Sequence, residues 1–345
     1  MSRPGTLATA TTAAAAAAAL LLAVPASAYV RSTNTGGTPI AWRRTSLRLV
    51  ESEALLKDLP IDQTRAAIRQ AMAAWSYPTV PCTALQLDLT LGFGSPPKVA
   101  PDLLSYIIFR EDNWCDGATC HDASQLALTT VFAKSRPGQP DDGEIIDVDL
   151  EINAFDHRWT NIPDSGVNPV PGARDLANLL THELGHFLGL SEVCGVTAGG
   201  MPARDHLGNP VPDCSSASAE QRAATMFPDS PTDDISKRTL ADDDVMGVCA
   251  IYPRMAGATD DAAVVGSDAG MAGGATGADD AGSLKPDAAR TAIPQPMVSI
   301  GGCSCRAGAG SGSGSILAYG GLGLLAVVAL GRGQRRSAQK SRTSS

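Results

Sequence analysis

The chain has no excess of positive charge, no internal repeat and no glycine-rich phosphate loop. Its 345 residues carry a net charge of −9, with an isoelectric point near 5.0. An acidic protein repels the phosphate backbone, which argues against nucleic acid as the main partner. Histidine is also scarce, at five residues. A metal site that uses imidazole must therefore draw on very few positions.

The first 28 residues have the composition of a secretory signal peptide. Arg3 is followed by an uncharged stretch rich in alanine and leucine up to Val24, and small residues lead to Ala28. This order of basic, apolar and small residues predicts export, with cleavage after Ala28 and a mature chain that begins at Tyr29. The alternative is an N-terminal membrane helix.

The C-terminal part has two further segments of biased composition. Residues 255–300 are rich in Ala, Gly and Asp and contain no aromatic residue, which predicts a disordered linker. Residues 301–345 contain Cys303 and Cys305, then an apolar run over 316–330 and a basic end. This arrangement resembles the C-terminal sorting tails of myxobacterial surface proteins. The resemblance implies a membrane contact through the tail and a place on the outer envelope. An uncleaved transmembrane anchor and release from the cell are alternatives.

Residues 182–192 read HELGHFLGLSE, a pattern typical of zinc peptidases. His182 and His186 are four apart, so on a helix they face the same side and can hold one zinc ion. Glu183 can take a proton from a water molecule beside that ion. Gly189 is placed to end the helix, and a turn there would bring Glu192 back towards the metal. Without such support from its surroundings, the motif could be a chance match in an amphipathic helix.

The chain from about residue 38 to residue 254 resembles the metzincin peptidases and, within them, the matrixins. Four segments carry the resemblance, in the family's order: a first helix over 68–75, the extended zinc motif over 182–192, a Met-turn Ala-Thr-Met-Phe-Pro over 224–228, and a closing helix with its end over 240–253. The resemblance implies an α/β fold over residues 29–254. It would consist of a metzincin catalytic domain with a twisted mixed sheet, a long active-site helix and a Met-turn.

The resemblance also implies a function, a zinc metalloendopeptidase that cleaves protein or peptide substrates as a monomer. It makes Glu183 the catalytic base and assigns His182 and His186 to the metal. Met226 would lie beneath the metal, and Pro228 would form part of the pocket for the residue after the cleaved bond.

The third metal ligand departs from the family pattern, which has a histidine where this chain has Glu192. A carboxylate is an acceptable zinc ligand, so Glu192 is the expected third ligand. His206 and Asp205, in the loop before the Met-turn, are alternatives. If the departure has impaired catalysis, the chain is instead a surface binding module that keeps the peptidase fold.

Two strand patterns bear on binding. Residues 126–132 form an apolar run that, by resemblance, is the edge strand along which an extended substrate pairs. Residues 146–153 alternate apolar residues with Asp147, Asp149 and Glu151. We interpret this acidic row as the polar face of a strand, with a Ca²⁺ site as the alternative.

Six of the eight cysteines lie within residues 29–254, and an even number in an exported protein predicts disulfides. Two local pairs leave one long-range pair, so the expected disulfides are Cys115–Cys120, Cys194–Cys214 and Cys82–Cys249. By analogy with matrixin pro-segments, Cys82 could instead be an inhibitory thiolate on the metal.

Overall fold

The computed structural model describes residues 29–52, 56–92, 97–117, 119–195 and 203–254, together with the backbone of residues 297–303. The predicted signal peptide, most of the predicted linker and the apolar run over 316–330 lie outside the described residues. No helix within the described ranges is long and apolar enough to cross a membrane.

Among the described residues, ten of the twelve strands come before the second α-helix, and only the first α-helix interrupts them. The strands are β1 (Val30–Arg31), β2 (Ser46–Glu51), β3 (Gln86–Leu91), β4 (Tyr106–Arg110), β5 (Cys115–Asp116), β6 (Thr119–Cys120), β7 (Ala127–Lys134), β8 (Ile145–Asn153), β9 (Trp159–Thr160), β10 (Arg174–Asp175), β11 (Leu190–Ser191) and β12 (Met297–Cys303). The helices are α1 (Ile61–Trp75), α2 (Leu176–Phe187), α3 (Ala219–Ala223) and α4 (Asp242–Ile251).

One mixed sheet organises the molecule, with the strand order β12-β7-β8-β4-β2-β3. The strands β3, β2, β4 and β8 run parallel to one another, whereas β7 runs antiparallel to β8. β12 adds to β7, also antiparallel. The predicted α/β class and mixed sheet are therefore confirmed at this level.

The helices α1 and α2 pack against each other and contribute to one hydrophobic core with the sheet. In α1 the apolar residues recur at helical spacing, and Ile68 and Trp75 are buried. The Trp75 indole N–H donates to the Thr181 carbonyl oxygen at 2.7 Å. This hydrogen bond fixes α1 to the turn of α2 that carries the zinc motif.

α1 ends at Trp75, and it begins seven residues before the segment over 68–75 that resembles the first helix of the family. Its N-cap is Pro60, and Asp62 lies in the first turn. There the carboxylate still faces the positive end of the helix dipole. Before β2, Ala41 makes an isolated bridge to Glu144.

The acidic row of β8 is buried beneath the loop that precedes β4. The Asp147 carboxylate accepts hydrogen bonds from the Leu103 amide at 2.7 Å and from the Ser105 hydroxyl at 3.0 Å. The Asp149 carboxylate accepts from two backbone amides, at 3.0 and 3.1 Å. Glu151 pairs with Arg110. Each of these buried carboxylates therefore has a hydrogen-bonding or ionic partner within the protein.

Three disulfides join the six cysteines of the domain as expected. They are Cys82–Cys249, Cys115–Cys120 and Cys194–Cys214. The alternative role of Cys82 as an inhibitory thiolate is therefore wrong, because its sulfur is bonded to Cys249 on α4. The pair Cys194–Cys214 closes the loop that follows the zinc motif.

Candidate metal centre

The zinc motif begins on α2. A side-chain cap begins this helix, and a turn that requires glycine follows its end. The Asp175 carboxylate accepts a hydrogen bond from the Asn178 amide at 2.7 Å, as an N-cap should. After the helix, Gly189 has a φ of +88°, and a Cβ there would lie 2.5 Å from the Ile40 carbonyl oxygen. Only glycine fits this turn without strain. The turn reverses the chain into β11 and brings Glu192 back beside the helix.

Three side chains converge at this turn: His182, His186 and Glu192. Their ligand atoms all lie within 4.8 Å of one another. The two imidazole Nε2 atoms are 3.2 Å apart, and Glu192 Oε1 lies 3.5 Å from the first and 3.4 Å from the second. Both imidazoles are buried, whereas the Glu192 side chain is 18% exposed to solvent.

Backbone carbonyls orient both imidazoles. His182 Nδ1 lies 2.7 Å from the Thr225 carbonyl oxygen, and His186 Nδ1 lies 3.0 Å from that of Leu190. A carbonyl oxygen can only accept, so each Nδ1 carries the hydrogen. In the neutral tautomer each Nε2 then directs a lone pair into the centre, which is the arrangement of metal-binding histidines.

Glu192 supplies a third electron-pair donor. Neither of its buried carboxylate oxygens has a hydrogen-bond partner. Burial raises the pKa of this carboxyl, but the facing imidazoles outweigh burial and lower the pKa to about 2. Glu192 is therefore a carboxylate at neutral pH, and it faces both imidazole rings.

The spacing of these atoms fits a zinc ion. Tetrahedral ligands at zinc–nitrogen and zinc–oxygen distances of roughly 2.0–2.1 Å are about 3.3 Å from one another. The three separations in the centre, 3.2, 3.4 and 3.5 Å, agree with this edge length. Three such donors leave one tetrahedral position for a further ligand.

Glu183 lies beside the centre, fully buried, with its two oxygens in different surroundings. Oε2 accepts a hydrogen bond from the Thr129 hydroxyl at 2.5 Å. Oε1 has no hydrogen-bond partner. One oxygen is thus held in place by β7 while the other can accept a proton. The role of Thr129 was missed from the sequence, because no local pattern distinguishes it from its neighbours in a strand.

Met226 packs directly beneath the helix turn between the two histidines. A Cβ at Gly185 would overlap the Met226 sulfur and would lie 3.1 Å from Trp75 Cζ2. Glycine at position 185 therefore leaves room for the Met226 thioether to pack against α2. Pro228 is half-buried two residues further on.

The alternative ligands occupy other positions. The His206 ring stacks on Tyr29 with a centroid separation of 4.2 Å. The Asp205 carboxylate accepts hydrogen bonds from the Leu207 and Asn209 amides. Within the described residues, neither belongs to the group formed by the two α2 histidines and Glu192.

Two buried charged residues support the Met-turn and were also missed from the sequence. The Lys237 ammonium donates to the Phe227 carbonyl oxygen and lies 3.5 Å from His182 Nδ1. Asp244 accepts a hydrogen bond from the Thr225 amide at 2.8 Å, and burial raises the pKa of its carboxyl to about 7. Because the Thr225 carbonyl holds His182, Asp244 on α4 helps to position a ligand from a distant part of the chain.

Comparison with known proteins adds no family to these observations. The chain matches no protein-family model and no curated protein. The resemblance to metzincins therefore rests on the motifs of the sequence.

Proposed function

We propose that the protein is an exported zinc metalloendopeptidase of the matrixin-like metzincin type. The observation that carries the proposal is the convergence of His182, His186 and Glu192 with their donor atoms 3.2 to 3.5 Å apart. The resemblance of the Met-turn and the position of Glu183 support the same chemistry.

Three of these residues would bind the metal, and Glu183 would transfer the proton. A zinc ion held by the three side chains would polarise the scissile carbonyl and make a water molecule more acidic. Glu183 accepts the proton of the attacking water on Oε1, while Thr129 holds Oε2. The carboxyl then passes that proton to the amine as the carbon–nitrogen bond breaks, so water is divided between the two peptide products.

The position of the base also suggests how a substrate lies. Thr129 belongs to β7, so the strand that fixes Glu183 is itself the outer strand of the five drawn from residues 46–153. An extended peptide can pair with such an edge through its backbone, whatever its side chains. Met226 would form the floor of the site and Pro228 part of the pocket beyond the cleaved bond.

The proposed location is outside the cytoplasm. Three disulfides favour an oxidising compartment, in agreement with the predicted signal peptide. The tail over residues 301–345 would attach the monomeric enzyme to the envelope. Its partners would be protein or peptide substrates, with no role for nucleic acid.

The test combines zinc content with cleavage of casein by the mature chain. The wild type should bind one zinc per chain and cleave casein. Glu183→Gln should keep the zinc and lose activity by on the order of 10²–10⁴-fold, the usual contribution of a general base. Glu192→Ala should lose the zinc. The exposed Glu220→Gln is the matched control and should change neither property.

One result would replace this proposal by the alternative binding module. If the wild type holds zinc but cleaves neither casein, gelatin nor a mixed peptide library, and Glu183→Gln behaves identically, the centre does not serve hydrolysis. If no variant, including the wild type, binds zinc, the metal centre itself is refuted.

A further inference from the structure

The edge of β7 is covered by a segment from the far end of the chain. β12, residues Met297–Cys303, pairs antiparallel with β7. Met297 lies opposite Lys134 and Cys303 lies opposite Thr129. β12 therefore takes the backbone hydrogen bonds that an added peptide strand would use.

The register brings the C-terminal end of β12 to the candidate centre. Cys303, at that end, lies opposite Thr129, whose hydroxyl donates a hydrogen bond to the Glu183 carboxylate. A peptide that pairs with β7 and reaches the general base would have to occupy this same stretch of edge. The backbone of β12 and such a peptide cannot be there together.

We infer that residues 297–303 are an intramolecular occupant of the peptide-binding edge and limit access of substrates to the centre. The inference rests on the proposed peptidase function, since it names the regulation of that site. It makes β12 a competitive element: cleavage of another protein requires β12 to leave β7.

The pairing is regular at one end of β12 and irregular at the other. Residues 297–300 follow a continuous register, but the register shifts between Ile300 and Cys303. Gly301 and Gly302 occupy this shift, and glycine both permits a bulge and weakens a strand. The part of β12 nearest Glu183 is thus its least regular part, which favours displacement from that end.

The segment between Arg254 and β12 is long enough for β12 to leave β7 and to pair with it again. The roughly forty residues between Arg254 and Met297 can extend over on the order of 130 Å. A tethered segment that returns in this way competes at an effective concentration of about millimolar, far above that of a dilute substrate.

The test uses the mature chain with a strand-breaking variant. Ser299→Pro combined with Ile300→Pro removes two adjacent backbone donors, so at least one hydrogen bond to β7 is lost whichever residue faces it. Ala288→Pro combined with Ala289→Pro makes the same change outside β12 and is the matched control. Amide hydrogen exchange of residues 127–134 reports on the edge directly, and kcat/KM for a casein-derived peptide reports on access.

The strand-breaking variant should lose exchange protection in β7 and gain on the order of tenfold in kcat/KM, mainly through a lower KM, because the tethered competitor is gone. The control should match the wild type in both. Equal protection of β7 in all three proteins would overturn the inference, as would lost protection with an unchanged KM. Lost protection with no cleavage by any of the proteins would refute the peptidase proposal and, with it, the regulatory role, while leaving β12 as a structural strand.

Discussion

Gly185→Ala is expected to damage both the packing and the metal affinity of the centre. The added methyl group would overlap the Met226 sulfur and would lie 3.0 Å from Met226 Cε and 3.1 Å from Trp75 Cζ2. Trp75 cannot move aside easily, because it is buried and its indole N–H is bonded to the Thr181 carbonyl oxygen at 2.7 Å. Met226 is buried as well, so the methyl group meets a filled space.

Two opposing terms set the size of the effect. Replacing glycine by alanine inside a helix stabilises it by about 1 kcal/mol. Overpacking a filled core costs roughly 1–3 kcal/mol. We therefore expect Gly185→Ala to lower the free energy of unfolding of the zinc-free protein by about 1 kcal/mol. Displacement of Met226 should also disturb the two histidines and weaken zinc binding by about tenfold, as changes to groups that support metal ligands do.

A double-mutant cycle in urea separates the overlap from a general defect. Met226→Ala alone should cost about 2–5 kcal/mol by leaving a cavity. In the double variant the new methyl group has room. The double variant should therefore lose less free energy of unfolding than the two single variants together, by about 1–3 kcal/mol. Additivity within about 0.5 kcal/mol, or a Gly185→Ala protein more stable than the wild type, would refute the packing described here.

Three further predictions concern the surroundings of the centre. Thr129→Val should reduce casein cleavage by about tenfold, because Glu183 loses its 2.5 Å hydrogen bond. Thr129→Ser should restore most of that activity, and equal rates for Val and Ser would contradict this role. Burial raises the pKa of Asp149 to about 7. The folded protein then keeps a proton that the unfolded chain releases near pH 4. The free energy of unfolding should therefore fall as the pH rises from about 4 to about 7, by up to about 1.4 kcal/mol per pH unit. Asp149→Asn should make this slope shallower in urea titrations without abolishing it, because the pKa of Asp244 is raised to about 7 as well. An unchanged slope would exclude a contribution from Asp149. Replacing Cys194 and Cys214 together by serine should lower the stability by about 3 kcal/mol, measured by thermal unfolding, because their loop loses its closure. No change in midpoint would contradict a structural role for this pair.

The sequence predicts the parts of the centre that depend on local spacing. The separation of His182 and His186 by one helical turn, and the turn at Gly189, are properties of a short segment. Their geometry follows from helix periodicity and the left-handed conformation of glycine. α1 could be predicted equally well, because its apolar residues recur at helical spacing over fifteen residues.

The remainder depends on contacts between distant segments, which no local pattern encodes. Thr129 is one of two adjacent threonines in a largely apolar strand, and its role becomes clear only when β7 meets Glu183 on α2. Lys237 and Asp244 read as surface charges in sequence, yet both are buried behind the Met-turn. The strand at β8 was predicted, but the burial of its acidic row was not, because the segment that covers it comes more than forty residues earlier. β12 falls across the boundary that we drew at residue 300 from composition alone, and its pairing with β7 follows from no feature of its own sequence.

The most direct test of the zinc centre is X-ray absorption at the zinc edge of the loaded mature chain, beside Glu192→Ala and His206→Ala. We expect two imidazole nitrogens at about 2.0–2.1 Å and at least one carboxylate or water oxygen at about 2.0–2.2 Å. The His206→Ala spectrum should be unchanged, and Glu192→Ala should lose zinc or an oxygen ligand. Three imidazoles in the wild type, reduced to two in His206→Ala, would contradict the assignment of Glu192. A protein that takes up no zinc would contradict the centre as a whole.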